Sequence, residues 1–142
     1  MITRSRPLSL ALLGLFILGC AVSPAQTPTR GEQGVLKGSV AYRERVALPP
    51  DAVVEVWLLD VSPLIVPLAL IAETTVPSQG RQVPIPFELR YDPQKIQPDH
   101  IYGVKAAIRS AEQILFETMT VHRVITQGNP SQVELWLHRR AP

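Results

Sequence analysis

VVEVWLLD, residues 53–60, is the stretch whose periodicity decides the fold. Val54, Val56 and Leu58 fall on one side of an extended chain, opposite Val53, Glu55, Trp57 and Leu59. Successive side chains of a strand point to opposite faces, so this spacing buries one aliphatic row and leaves a mixed row outside. A helix would need its apolar residues three and four apart instead. The same rhythm recurs toward the C-terminus. In 132–138, Val133, Leu135 and Leu137 oppose Glu134, Trp136 and His138. In 101–109, Tyr102, Val104, Ala106 and Ile108 are set against Lys105 and Arg109.

Working outward, seven strands are expected, over 35–42, 53–60, 69–76, 84–90, 101–109, 114–122 and 132–138. The separators have turn chemistry: Pro49-Pro50-Asp51, Ser78-Gln79-Gly80, Asp92-Pro93, Pro98-Asp99 and Gly128-Asn129-Pro130. Half-buried strands of this length and spacing predict an all-β fold, an antiparallel β-sandwich of about seven strands. The one helix-like stretch is a turn within Asp92–Ile96. The domain is expected over 34–140.

The N-terminus reads differently. Arg4 and Arg6 precede an apolar run from Leu8 to Leu18, followed by Gly19 and Cys20. That is the secretory order of charge, apolar core and small residue before a cut. The run is short of the roughly 20 residues a spanning helix needs. Residues 1–19 are therefore expected to be a lipoprotein signal peptide. Cys20 is the single cysteine of the chain and has no intramolecular disulfide partner. Lipidation of its thiol explains its position, since the acyl chains then anchor the domain to a membrane. Residues 20–33, with Pro24 and Pro28 among polar neighbours, read as a lipidated N-terminus and flexible linker. About a dozen extended residues reach roughly 40 Å. Ala21, rather than Asp, after the cysteine is compatible with sorting to the outer membrane, on its periplasmic face.

Charge narrows the partners. Cleavage before Cys20 removes Arg4 and Arg6, leaving twelve basic residues against twelve acidic ones. The basic clustering that marks a nucleic-acid partner is missing. His100, His122 and His138 have no second ligand at metal spacing on their own elements, so no metal and no cofactor are expected. His100 reads as a surface turn residue. No Gly-x-Ser-x-Gly and no phosphate loop occurs, and Asp51, Asp60, Asp92 and Asp99 fall in or beside turns, where Asp caps backbone amides. The expectation is a protein without catalytic residues, not an enzyme.

GSVAYRERVALPPDAVVEVWLLDVS (38–62) resembles the YbaY/YscW family of bacterial lipoproteins. The likeness continues through Ile71-Ala72-Glu73, GRQVPIPFELRY (80–91), Asp92-Pro93, Ile101-Tyr102, Thr126 to Pro130 and VELWL (133–137). The resemblance implies a β-sandwich lipoprotein, with some relatives acting as pilotins that carry a secretin subunit to the outer membrane for type III secretion. Of the functional residues only Cys20 carries over. The run Tyr42-Arg43-Glu44-Arg45 matches the family signature, and as a charged edge it would discourage sheet-to-sheet aggregation.

Between Ser62 and Ala72 the chain departs from its relatives with PLIVPLALI (63–71). Pro63 and Pro67 forbid a regular central strand there, so part of it must be loop. An apolar loop either folds back on the sandwich or forms a sticky patch. In the second case Leu64, Ile65, Val66 and Leu68 make a partner-binding surface. Two function classes follow. One is a protein-binding, chaperone or pilotin-like module for an outer-membrane or secretin-like partner. The other is a structural or stress-related lipoprotein without a dedicated client. A weaker third would bind a glycan or small ligand between the sheets through Trp57 and Trp136.

Overall fold

The computed structural model describes residues 31–62 and 68–141. Eight strands follow in order: β1 (Gly34–Tyr42), β2 (Val53–Asp60), β3 (Ala69–Pro77), β4 (Ile85–Tyr91), β5 (Tyr102–Ser110), β6 (Gln113–Glu117), β7 (His122–Val124) and β8 (Gln132–Arg139). A single 3-10 turn, Pro93–Lys95, sits inside the expected 92–96 stretch, and Asp92 Oδ1 accepts from Gln94 N–H to start it. The all-β fold is as the alternation predicts. Val54, Val56 and Leu58 are fully buried while Val53, Glu55, Trp57 and Leu59 are half-buried. Tyr102, Val104, Ile108 and Leu135 complete the middle of the core. Each such side chain contributes about 1.5–3 kcal/mol by leaving water.

The strands form one path, β3-β2-β5-β6-β8-β1-β4, with β7 beside β5. β6 meets β8 through only two residue pairs, Phe116 with Arg139 and Glu117 with His138. The sandwich is thus two sheets joined at β8 into a barrel-like wrap. Two details differ from the expectation. First, β1 and β8 pair in parallel, from Lys37 opposite Gln132 to Tyr42 opposite Leu137, while the other neighbours are antiparallel. A parallel pair needs a long connection, and here the rest of the described chain provides it. Second, the stretch 114–122 is not one strand. It leaves β5 after Glu117 and returns as β7, with Val104 opposite His122. Gly103 leaves room for the return, because a Cβ there would collide with the Val121 side chain.

The path ends at β3 and β4. These consecutive strands run in opposite directions, yet they do not pair with one another, so each presents an unpaired edge. Proline guards both: Pro77 closes β3 and Pro86 lies within β4. Proline lacks the N–H an incoming strand would need.

The registers sort the loops into two ends. β1 starts, β2 finishes and β3 starts at one, the entry end, together with 92–101 and 125–131. The connections 43–52, 78–84 and 111–112 and the end of β8 lie at the other, the arginine end. Arg43, Arg45, Arg81, Arg139 and Arg140 all lie in or beside these connections.

Candidate functional site

Of the residues singled out as candidate sites, Cys20, Leu64, Ile65 and Val66 lie outside the described residues. Leu68 is half-buried directly before β3, and it is followed by exposed Ala69 and Leu70, the latter 53% exposed. Ile71 and Ala72 turn back against the core. Exposed apolar side chains therefore lie at the start of the free edge strand, at Ala69 and Leu70. Beside it, Ile71, Ala72, Tyr91 and Pro93 line a half-open cleft of about 910 Å³, whose other wall is the chain entering β1 at 31–34. The cleft exists because β3 and β4 do not pair.

A polar cluster braces the same end. His100 Nδ1 lies 2.6 Å from Asp60 Oδ2, across a sequence separation of 40. Asp60 Oδ1 accepts from Ser62 N–H at 2.9 Å, and Ser62 Oγ accepts from Ile101 N–H at 2.6 Å. Thr126 Oγ1 donates to the His100 carbonyl at 2.7 Å, and Gln127 Nε2 donates to that of Asp99. The turn-cap role expected of Asp60 is present, but Asp60 is also buried and His100 is its partner rather than a free surface residue. Burial works to raise the Asp60 carboxyl, but hydrogen bonds from His100 and Ser62 outweigh it and hold the group below its ordinary value. The hydrogen bond to Asp60 raises His100 above its ordinary value, against partial desolvation, with the charges of Asp60 and Asp99 adding to the rise. The cluster includes Ser, His and Asp, but Ser62 Oγ is occupied by a backbone N–H and does not face the imidazole that binds Asp60. It is a clamp that ties 60–62, the segment leading into 63–67, to the loops at 99–101 and 126–127. Among the described residues, no three His, Cys, Asp or Glu side chains converge as a metal site would require.

At the arginine end the signature run has structural work. Tyr42 stacks on Phe116 at 4.0 Å with the rings 6° from parallel, and its hydroxyl donates to the Val46 carbonyl at 2.6 Å. Burial and the nearby Glu44 charge push this phenol above its ordinary value, so it stays a donor. Arg43 lies over the Trp136 ring at 5.4 Å. Glu44 Oε1 accepts from Arg139 N–H at 3.4 Å, while its Oε2 is shielded and has no partner among the described residues. Tyr42 ends β1, an internal strand between β4 and β8, and Arg43, Glu44 and Arg45 follow its last paired residue, so the run does not lie along either of the two edge strands, β3 and β4. Trp57 and Trp136 both point off the outer faces, since their sequence neighbours are the buried ones. They do not converge between the sheets, which removes the ligand site suggested for them.

The described residues thus form an all-β wrap joined at β8 with an apolar, partly open entry end. The family described as type III secretion system lipoprotein chaperone (YscW) matches residues 32–137, and the chain belongs to that family. It is 38% identical over 108 residues to the uncharacterized lipoprotein YbaY of Escherichia coli strain K12. That alignment covers 76% of this chain and 56% of the relative, so the chain spans little more than half the length of that relative. A solved structure of an alternative pilotin from the type II secretion system of Vibrio cholerae superposes with a TM-score of 0.75 at 40% identity, over 78% of this chain and all of that one.

Proposed function

We propose that this protein is a non-enzymatic, lipid-anchored envelope chaperone of pilotin type that escorts a secretin-like component to the outer membrane. The observation that carries the reading is the 40% identity to an alternative pilotin of the same fold, over 78% of this chain and the whole of that one. Cys20 is the anchor: it follows Gly19 at the end of the apolar run and is the chain's single thiol. The client contact is Leu64, Ile65, Val66 and Leu68, continued by exposed Leu70 on the free edge of β3. An extended client segment along the start of β3, at the opposite end of the strand from Pro77, would gain backbone hydrogen bonds from the edge and apolar contact from the leucines.

Two comparisons test this. Crosslinked capture from membranes with the native chain should recover one specific outer-membrane protein, and Cys20→Ser should abolish recovery. Replacing Leu64, Ile65 and Val66 together with Ser should abolish recovery while leaving the thermal melt unchanged. Recovery of no partner by the native chain would favour a structural lipoprotein without a client. Unchanged capture by the triple variant, or its unfolding, would remove the apolar segment from the contact.

A further inference from the structure

The arginine end holds a second cleft, distant from the proposed client contact. It is half-open and has a volume of about 790 Å³. Ile114 and Leu115 form its floor, and Val46 and Pro49 form a wall. The wall is built rather than accidental. The Tyr42 stack and the Tyr42–Val46 hydrogen bond turn the chain back after β1 and leave Val46 45% exposed. Gln82 then ties the loop from below, accepting from Leu48 N–H at 2.7 Å and donating to its carbonyl at 3.3 Å. Val46 is thus not a solitary exposed side chain: with Pro49, Ile114 and Leu115 it lines one concave apolar surface, of the kind that marks a contact site.

The rim has a definite sign. Three arginines and a single carboxylate, Glu112, line the cleft. Arg109 is committed to Glu55 at 3.3 Å and to the Glu112 carbonyl. Arg140 reaches Glu117 only at 3.8 Å and is about half exposed. Arg139 has no carboxylate partner for its guanidinium among the described residues. Two guanidinium groups thus flank apolar floor with spare hydrogen-bond donors. Arginine is always charged and its planar fork suits a carboxylate.

We propose that this cleft binds an amphipathic acidic peptide segment of a partner protein, with its aliphatic side chains against Val46, Ile114 and Leu115 and a carboxylate on Arg139 and Arg140. The concave shape suits a peptide better than a flat lipid surface. The site is independent of the contact at 64–70, and its chemistry holds whichever protein is the client.

The test is fluorescence anisotropy on the full chain with two labelled peptides of equal length. Both carry leucine and isoleucine on one helical face; one is flanked by glutamates and the other by lysines. The glutamate peptide should bind and the lysine peptide should not. Arg139→Glu should weaken the glutamate peptide by about tenfold or more and restore some affinity for the lysine peptide. Val46→Asp, at an exposed position, should weaken it with an unchanged melt. Equal binding of both peptides, no binding of either, or indifference to Arg139→Glu would each overturn the proposal. So would flotation with vesicles of anionic phospholipid that Arg139→Glu abolishes and the glutamate peptide does not displace, because the surface would then serve lipid.

Discussion

The two ends of the barrel are held by different physics. At the entry end, chain segments 60–62, 99–101 and 126–127 are joined by side-chain hydrogen bonds centred on Asp60 and His100. At the arginine end the central tie is an aromatic stack, Tyr42 on Phe116, with Gln82 bridging two loops. The first end contains a titratable pair, one member of which, Asp60, lies just before the apolar 63–67 segment. The second holds a cleft rimmed by arginine guanidinium groups. Protons should therefore act on one end and salt on the other. A binding surface beside the Asp60–His100 clamp would be sensitive to pH, whereas an arginine-rimmed cleft would be sensitive to ionic strength.

The sharpest way to break this contrast is Tyr42→Ala. It removes a buried ring and opens a void beside Phe116, at an expected cost of about 3–5 kcal/mol in denaturant unfolding. Tyr42→Phe keeps the stack and gives up only the bond to Val46, so it should cost about 1 kcal/mol. If the two variants were equally damaging, the hydrogen bond and not the stack would hold the arginine end. At the entry end, Asp60→Ala leaves the Ser62 amide and His100 without their acceptor. The expected loss is smaller, about 1–2 kcal/mol, because the clamp lies at a partly solvated rim.

Titration probes the same clamp without removing atoms. His100 binds its proton more tightly folded than unfolded, so its contribution is complete below the ordinary 6.5 and is lost as pH rises through its higher folded value. Asp60 works in the opposite sense: its contribution is present above the ordinary 3.8 and is lost as pH falls through its lower folded value. The clamp is thus strongest between these two limits. Thermal melts should be higher at about pH 5 than at about pH 8, by less than Asp60→Ala costs, since neutral His100 can still hydrogen-bond. In His100→Gln the difference should shrink. A native chain whose melt rises over that range would mean that other groups govern the pH response.

The uneven legibility of the two ends in the sequence has the same root. Strand faces were readable because they are local: Val54, Val56 and Leu58 alternate and are buried as the alternation requires. The turns at Ser78-Gln79-Gly80 and Gly128-Asn129-Pro130 were readable because each contains a glycine, and Gly80 and Gly128 take positive φ. The break in 114–122 was not, because the room for its return, at Gly103, lies in another strand. Nor was the parallel β1–β8 pair, formed between opposite ends of the domain with no local signature. Asp60 and His100 read separately as a cap and a turn residue, since nothing in either neighbourhood points across the forty residues between them. The arginine-end cleft escaped for the same reason. Val46, Leu115 and Arg139 become neighbours only after three strands have paired.

The smallest expected effect bears on that cleft directly. β5 and β6 are joined by Ala111 and Glu112, both at positive φ, 44° and 65°. This two-residue connection favours Asn-Gly, because a Cβ resists the left-handed region. Ala111→Asn with Glu112→Gly should relieve that strain and raise stability by about 0.5–1 kcal/mol, read as a shift in the denaturation midpoint. Arg109 would keep its contact, since it takes the backbone carbonyl of residue 112 and not the side chain. The double variant also deletes the one carboxylate lining the cleft. An acidic peptide should then bind more tightly at low salt, and the gain should fade as salt screens the rim. Higher stability with unchanged peptide affinity would confirm the turn and count against electrostatic recognition there. A gain in both, with the pH response of the His100 clamp unmoved, would show that the two ends act independently.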